Sequence, residues 1–140
     1  MGSAPRADLQ PRLDHAELAV SRWPLGWAPG GGDGQVDGGF TALVTDDDEV
    51  TWVCARARLE AEVGRGPAVP LAVEHGWRRV TFAGPLPWEQ VGFLADVAVR
   101  LAGAHIPFTS LAAFTTDHVL VRAAQAELAV SVLRGGEQEA

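Results

Sequence analysis

The sequence predicts an α+β protein with antiparallel sheets and helices on one face. Short segments rich in β-branched and aromatic residues, bounded by Gly, Pro or Asp, are typical of strands. One longer segment repeats apolar residues at a helical spacing. The chain has 140 residues, 47% of them hydrophobic and 21% charged, so it can bury one ordinary core or two small ones. We therefore expect a globular protein with room for an internal duplication.

In the N-terminal half, the predicted strands alternate with irregular segments. Residues 1–12 hold two prolines and no apolar periodicity, so we predict a mobile tail. Residues 15–23 form the first predicted strand. The Gly-rich stretch 24–39 precedes a strand rather than a helix, which favours a flexible connection over a phosphate cradle. Residues 40–56 predict a β-hairpin with an acidic turn, and residues 57–76 a linker with at most one short helical turn.

The C-terminal half predicts the element order β-α-β-β-α. Its strands are 77–84, 106–114 and 118–122, and its helices are 88–104 and 123–133. This order is most of a ferredoxin-like unit and lacks only a last strand, which a neighbouring segment can supply. The first half has a similar order of strands, so we predict that it is a degenerate copy of the same unit.

The helix at 88–104 is predicted to bury one apolar stripe. Asp96 and Arg100 form a pair of opposite charge at i,i+4. Phe93 and Val97 are apolar but lie off the stripe, which predicts a second face that packs against another helix or subunit. The stripe itself consists of residues at helical spacing: Val91, Leu94, Ala95, Ala98, Leu101 and Ala102.

Charge and composition exclude several classes of protein. The formal net charge of −7 and the scattered Arg residues argue against a nucleic-acid partner, which needs a clustered basic face. Lys is absent, so neither Schiff-base chemistry nor a phosphate-binding Lys is available. One cysteine excludes an intramolecular disulfide, and no apolar run predicts a membrane span or a secretory signal. We expect a cytoplasmic protein, and the preference for Arg, Ala, Gly and Val suggests a GC-rich bacterial genome.

Two segments of the second half resemble the ACT domain family. They are GWRRVTFAGPL at 76–86 and LAAFTTDHVLVRAAQAELAVSVL at 111–133, and the second contains the motif F-x-x-D-[HY]-x-L-V at 114–121. In the first half, GGFTALVTDDDEVTWVC at 38–54 is similar to the corresponding family segment. The likeness is to small bacterial tandem-ACT proteins related to the ACT repeats of arginine sensors and aspartate kinases.

The resemblance implies two ACT-like units, a degenerate one at 13–72 and a second at 73–134, followed by a tail at 135–140. It also implies a ligand pocket between the loop after a unit's first strand and a facing ACT unit. Carried onto this sequence, the resemblance places contacts in the loop and at a strand edge: Gly84, Pro85 and Leu86, then Phe114, Thr115 and Asp117.

Asp117 is the central candidate for ligand binding. Its carboxylate can accept charge-assisted hydrogen bonds from an α-ammonium group, or it can cap the reversal at 114–118 as an Asx-turn. The hydroxyls of Thr115 and Thr116 can bind a carboxylate, or the two residues can simply favour strand geometry. Trp88 can form an aromatic pocket wall, or it can anchor a core or an interface. We include all of these residues in the predicted ligand site.

The histidines and the cysteine are predicted to be structural. His118 follows Asp117, which suggests acid–base chemistry, but adjacent strand residues point to opposite faces and pair poorly. Cys54 lies inside a predicted strand and is expected to be a small buried hydrophobe. The remaining histidines share no ligand spacing, so we predict neither a metal site nor a cofactor: His15, His75 and His105.

These observations favour a regulatory protein that binds a small molecule, an amino acid or an amino-acid derivative, without catalysis of its own. A regulated enzyme is the expected partner, and the second helix face predicts a homodimer. Two alternatives stay open. The first is a small biosynthetic enzyme that uses Asp117 or His118 as acid or base. The second is an adaptor whose pocket is filled by its own Trp88 and Phe114.

Overall fold

The computed structural model describes residues 6–30, 39–82 and 92–136. In chain order, the strands are β1 (Pro11–Leu13), β2 (Leu18–Trp23), β3 (Thr41–Thr45), β4 (Val50–Ala55), β5 (Ala72–Phe82), β6 (Phe108–Ala112) and β7 (Asp117–Arg122). The helices are α1 (Arg56–Arg65), α2 (Phe93–Gly103) and α3 (Ala126–Leu133), with a 3-10 turn at Ala123–Gln125 before α3. The chain is therefore of mixed α and β structure, as predicted.

The chain divides into two compact units at residues 77 and 78, inside β5. One unit is formed by residues 16–77, and the other by residues 1–15 together with 78–140. The sequence predicts a boundary between residues 72 and 73 instead, where β5 begins. The difference arises because β5 is one continuous strand of 11 residues, and its first part belongs to the first unit.

The unit of residues 16–77 has the strand order β3-β4-β2-β5, with antiparallel neighbours throughout. The predicted hairpin is β3 and β4, which meet with Thr45 opposite Val50. In its turn, Asp46 Oδ1 accepts the backbone N–H groups of Asp48 at 2.7 Å and Glu49 at 2.9 Å. These bonds stabilise the carboxylate and lower the pKa of Asp46.

Helix α1 lies where the sequence predicts a linker at 57–76, and this prediction is wrong. Arg56 pairs with Glu60 and Arg58 pairs with Glu62, both at the i,i+4 spacing that supports a helix. Leu59 is buried against the strands of this unit. Because α1 buries little apolar surface, its packing against the strands stabilises it more than its own sequence does. The sequence pattern therefore predicts this helix only weakly.

The unit of residues 1–15 and 78–140 has the strand order β5-β7-β6, with β1 antiparallel to β5. The pairs Pro11–Phe82 and Leu13–Val80 set the register of β1. The N–H of Leu9 also donates to the carbonyl of Leu133 at 3.0 Å. The described part of the segment predicted as a mobile tail at 1–12 therefore pairs with this unit, and it begins the strand missing from the β-α-β-β-α order.

Helices α2 and α3 pack against β5 and β7 in one apolar cluster, which includes Val80, Val119 and Val97. The buried face of α2 differs from the predicted stripe. Val97 and Leu101 are fully buried and Phe93 packs against the cluster, whereas Leu94 is 46% exposed. Phe93 and Val97 thus belong to the core together with Leu101 of the predicted stripe, whereas the stripe residues Leu94, Ala95 and Ala102 are exposed.

The predicted ion pair of α2 is present, and Arg100 has a further role. Its Nε donates to Asp96 Oδ1 at 2.8 Å. Its Nη1 donates to the carbonyls of Ala7 at 2.6 Å and Leu133 at 3.2 Å. The buried guanidinium therefore joins the N-terminal segment to the end of α3. None of the helices in the described part of the chain is long and apolar enough to cross a membrane.

Candidate functional site

The connection between β6 and β7 is the four-residue segment 113–116. Ala112 lies opposite Asp117, and the N–H of Ala113 donates to the carbonyl of Thr116 at 2.8 Å. This leaves Phe114 and Thr115 as the loop, and the Phe114 side chain is 78% exposed. We refer to residues 113–116 as the hairpin tip. The predicted strand at 106–114 is therefore shorter, and the polar residues belong partly to the turn and partly to β7.

The alternation of β7 separates the candidate side chains into two groups. Val119 and Val121 lie in the apolar cluster beneath α2 and α3, and Asp117 has the same parity. His118 projects from the opposite face, as does Thr116 two residues earlier. The carboxylate and the Thr116 hydroxyl therefore leave the strand on different faces, which the sequence prediction of a single site does not anticipate.

His118 is buried in a polar network with four other residues, which we call the His118 network. Its Nδ1 lies 3.0 Å from Thr81 Oγ1 and 3.3 Å from Arg79 Nη1. Its Nε2 lies 3.0 Å from Thr116 Oγ1. Arg79 also donates to Thr81 Oγ1 at 2.9 Å and, through Nη2, to Asp14 Oδ2 at 2.9 Å. The network therefore extends from the segment after β1 across β5 to the hairpin tip.

The donors around His118 define its protonation. A guanidinium only donates, so Nδ1 must accept, and the proton of the neutral ring is on Nε2. Nε2–H then donates to Thr116 Oγ1. Burial lowers the pKa of His118, the Arg79 charge lowers it further, and Asp117 opposes them. Arg12 adds a smaller lowering of this pKa. The ring is thus held neutral by its surroundings.

The Asp117 carboxylate is half-buried and makes no hydrogen bond or ion pair with another side chain in the described ranges. The turn beside it is closed by backbone atoms of Ala113 and Thr116 rather than by this side chain. Among the described residues, the alternative role of Asp117 as a turn cap therefore has no contact to support it. A half-buried carboxylate in this state has capacity to accept hydrogen bonds from a cation.

The other half of the predicted pocket lies outside the described residues. Gly84, Pro85, Leu86 and Trp88 fall within 83–91. Phe114, Thr115, Thr116 and Asp117 are described and lie together at the end of the β6–β7 hairpin. The proximity of the two groups stays a prediction.

The remaining titratable candidates do not form a cluster. No group of three or more His, Cys, Asp or Glu in the described ranges has the geometry to hold a metal ion. His15 is exposed beside Asp14, with 4.0 Å between Nδ1 and Oδ1. Cys54 is fully buried, and burial raises its pKa to about 12, although the nearby Arg58 charge acts in the opposite direction. A thiol with this pKa is a poor nucleophile.

An aromatic cluster in the unit of residues 16–77 escapes the sequence prediction. The rings of Trp23 and Trp27 stack with centroids 3.7 Å apart, and Trp52 contacts both. The Arg58 guanidinium lies 5.2 Å from the Trp52 ring centre. The N–H of Gly30 donates to Glu62 on α1 at 3.1 Å. The described part of the predicted flexible connection at 24–39 is therefore packed against this unit.

Comparison with known proteins finds a family similar to the C-terminal segment. The model of the ACT domain family matches residues 72–135. None of the curated proteins matches the sequence. Among solved structures, a protein from Agobacterium tumefaciens is 24% identical, with 97% of this chain and 94% of that chain covered and a TM-score of 0.69. A Vibrio cholerae protein, described as of unknown function and a possible transport protein, is 18% identical, with coverages of 94% and 92% and a TM-score of 0.68.

A third solved structure is the ligand-free regulatory subunit of aspartate kinase from Thermus thermophilus. It is 11% identical, with 91% of this chain and 97% of that chain covered and a TM-score of 0.60. At these identities the similarity of the structures concerns the fold alone. The matched family model covers the strands that carry the hairpin tip, His118, Arg79 and Thr81, but not Asp14. Residues 72–135 of this chain are therefore similar to the ACT domain family.

Proposed function

We propose that this protein is a regulatory protein that binds a small molecule, and that its ligand is an amino acid or an amino-acid derivative. The proposal rests on the Asp117 carboxylate, which is half-buried at the start of β7 and unpaired among the described side chains. The similarity to the ACT domain family and to a regulatory subunit of aspartate kinase supports a regulatory role. In this proposal the protein has no catalysis of its own and needs no cofactor.

The chemistry of the site favours a ligand with an ammonium group. Burying part of a carboxylate costs free energy unless a charged or polar group compensates it. An α-ammonium group supplies three N–H donors and the opposite charge, and such charge-assisted bonds are about twice as strong as neutral ones. Asp117 is the proposed partner of the ammonium group. Thr115 and the loop residues Gly84, Pro85 and Leu86 are proposed to contact the rest of the ligand, with Trp88 as a wall.

The strand orders support a duplication of the ACT-like unit. The strands of the first unit lie side by side in the order β3-β4-β2-β5. If they are numbered along the sequence, this order is second, third, first, fourth. The strands of the other unit lie in the order β6-β7-β5-β1. This is the same order when β5 is counted as the first strand and β1 as the fourth. We propose that the first unit is a degenerate ACT-like unit, because its described residues between β2 and β3 contain no helix.

A partner surface on α2 belongs to the same proposal. Val99, 64% exposed, lies on the face of α2 turned away from the core, and Leu94, 46% exposed, lies at the edge of the core face. Exposed apolar side chains on a helix contribute to contact surfaces. We propose that a second copy or a regulated enzyme covers this face in the cytoplasm. Analytical ultracentrifugation with and without the amino acid identified below tests the homodimer.

Titration of the proteinogenic amino acids, by thermal shift and calorimetry, tests the ligand. We expect at least one amino acid to bind the wild type and Asp117→Ala to bind it at least about tenfold more weakly, since the charge-assisted bonds are lost. Asp47→Ala is the matched control, because Asp47 is exposed in the β3–β4 turn. Equal affinities of the wild type and Asp117→Ala would remove Asp117 from the site.

The two alternative functions gain little support. Both ring nitrogens of His118 are engaged by neighbouring groups, so the ring lacks a free position for acid–base chemistry with a substrate. Phe114 is too exposed to fill a pocket of its own unit, as the adaptor alternative requires. The regulatory ligand-binding function therefore remains the proposal.

A further inference from the structure

Strand β3 is the end strand of the sheet in the unit of residues 16–77. Among the described residues it pairs on one side alone, with β4. Its sequence, TALVT, contains neither a charged residue nor Pro, which usually protect an exposed edge from pairing with another chain. Leu43 and Val44 are 44% and 54% exposed, and they project from opposite faces of the strand. An uncharged edge with apolar side chains on both faces is suited to pair with a further strand.

The backbone groups at this edge alternate in direction. Just after β3, the N–H of Asp46 donates to the carbonyl of Glu49 at 3.2 Å, which makes these two residues a hydrogen-bonded pair. In an antiparallel ladder such pairs recur at every second residue, so Ala42 and Val44 exchange bonds with β4. The intervening residues of β3 direct their N–H and C=O groups away from β4, towards the outer edge: Thr41, Leu43 and Thr45.

One register with a second copy of the strand uses all of these outward groups. When two copies run antiparallel with Leu43 on the twofold axis, each Leu43 exchanges bonds with the other. Thr41 of each copy then exchanges bonds with Thr45 of the other copy, and opposed Thr residues are a favourable cross-strand pair. On the opposite face, Val44 lies against the smaller Ala42. A shift by two residues places Thr45 opposite a residue before the strand, so the sequence of β3 matches itself best in this register.

Charge favours the antiparallel orientation. The acidic turn at 46–49 follows β3 directly, in a chain with a net charge of −7. Two parallel strands would bring the two turns together, and their like charges would repel. In the antiparallel register the turns lie at opposite ends of the paired strands, about 20 Å apart, or roughly six residues at about 3.4 Å each. This separation exceeds the screening length of about 8 Å at physiological salt.

We propose that β3 is a dimerisation strand, through which two copies of this chain pair antiparallel with the two Leu43 residues on the twofold axis. Such an interface is isologous, since the same surface serves on both copies. The proposal rests on the homodimer of the proposed function, for which it names the surface, and it does not involve the ligand. The exposed face of α2 is then left for the regulated enzyme. The five residues of β3 are fewer than the about 20–30 residues on each side of a standard interface, so the dimer dissociates on dilution.

Strand β6 is the end strand of the other unit and provides a matched control. Among the described residues it also pairs on one side alone, with β7. Its ladder gives Ser110, in the middle of the strand, the same outward backbone direction as Leu43. The exposed side chains of β6 are polar or small: Thr109, Ser110 and Ala112. Because they offer little apolar surface to a second copy, we expect no pairing through β6.

Disulfide cross-linking of the ligand-free protein tests the register. In Leu43→Cys the two introduced thiols face each other across a hydrogen-bonded pair, with Cα atoms about 5.5 Å apart, which a disulfide can bridge. In Val44→Cys they are diagonal neighbours at about 7–8 Å, beyond this reach. Under mild oxidation Leu43→Cys should form a covalent dimer at least about tenfold faster than Val44→Cys or Ser110→Cys. The native Cys54 is fully buried, and the wild type provides the background. Equal rates for the three variants overturn the proposal.

Analytical ultracentrifugation without ligand, between about 1 and 200 μM protein, measures the equilibrium. We expect the wild type to dimerise as its concentration rises, and Ser110→Lys to do the same. Leu43→Lys should dimerise at least about tenfold more weakly, because the two introduced ammonium groups repel each other at the twofold axis. If Leu43→Lys does not fold, the cross-linking rate of Leu43→Cys decides.

The outcomes separate this inference from the proposed function. A dimer that persists in folded Leu43→Lys overturns pairing through β3 and leaves the homodimer to another surface. A wild type that stays monomeric throughout overturns both the homodimer and its surface. The amino-acid titrations decide the ligand-binding part of the proposed function in either case.

Discussion

Nε2 of His118 lies 3.0 Å from Oγ1 of Thr116, and this bond joins a buried ring to the half-exposed end of a β-hairpin. The two residues are neighbours on one face of the strand because they are two positions apart. On the far side of the ring, Arg79 and Thr81 come from β5, which is distant in sequence. His118 therefore makes one contact with a residue close in sequence, Thr116, and two with residues distant in sequence, Arg79 and Thr81.

The stability of the protein should fall in mild acid because of His118. Its pKa in the folded state lies below the unfolded value of about 6.5. Above pH 6.5 the ring is neutral in both states and contributes no pH dependence. Below it, the unfolded chain binds a proton that the folded chain refuses, so the free energy of unfolding decreases by up to about 1.4 kcal/mol per pH unit. The decrease ends below the folded pKa.

Urea unfolding of the wild type and His118→Gln between about pH 7.5 and pH 5 measures this contribution. The free energy of unfolding of the variant should depend less steeply on pH, since the other histidines are common to both proteins. Parallel curves for the two proteins would show that His118 titrates alike in the folded and unfolded states.

Removal of the Asp14 carboxylate should destabilise the protein more than removal of an exposed one. Asp14 compensates a largely buried guanidinium in the His118 network, with 2.9 Å between Nη2 of Arg79 and Oδ2. We expect Asp14→Ala to lower the free energy of unfolding by about 1–3 kcal/mol, because Arg79 loses a charged acceptor.

Glu60→Ala is the matched control for Asp14→Ala. Glu60 pairs with Arg56 on α1, and both side chains are largely exposed. Its removal should cost less than about 0.5 kcal/mol. Urea unfolding of the two variants makes the comparison, and equal losses would indicate that Asp14 contributes no more than a surface charge.

Elements with strong local signals could be predicted from the sequence. The β3–β4 and β6–β7 hairpins combine β-rich arms with short polar turns, and both are present. Helix α1 could not be predicted, since Leu59 is the buried apolar residue on its sheet-facing side and ion pairs supply the rest. Strand β1 is three residues long, and its pairing is determined by β5, which is far away in sequence.

The candidate site shows the same division between local and non-local information. The motif at 114–121 predicts Asp117 and the hairpin tip from neighbouring residues. The network partners of His118 are Arg79 and Thr81, which are 39 and 37 positions away, so no short spacing reveals them. The face of α2 also depends on tertiary contacts, since Phe93 packs edge-on against Phe82 with centroids 5.1 Å apart.

Two leucines of α2 test how much of the predicted stripe belongs to the core. Leu101 is fully buried, whereas Leu94, two turns earlier on the same stripe, is 46% exposed. Leu101→Ala should lower the free energy of unfolding by about 2–5 kcal/mol, because it removes transfer free energy and leaves a cavity. Leu94→Ala should change it by about 0.5 kcal/mol or less in the monomer. Similar losses for both variants would return Leu94 to the core.

The thiol of Cys54 should be protected from reagents until the unit of residues 16–77 unfolds. The side chain is fully buried within the strands of that unit, and burial raises its pKa to about 12. At about pH 8 almost none of the thiol is ionised, and the reagent has no access to it. A disulfide exchange reagent should therefore label Cys54 slowly in the native protein and rapidly in concentrated urea. Cys54→Ser provides the background, and rapid labelling of the native protein would show that this unit opens far more readily than its packing indicates.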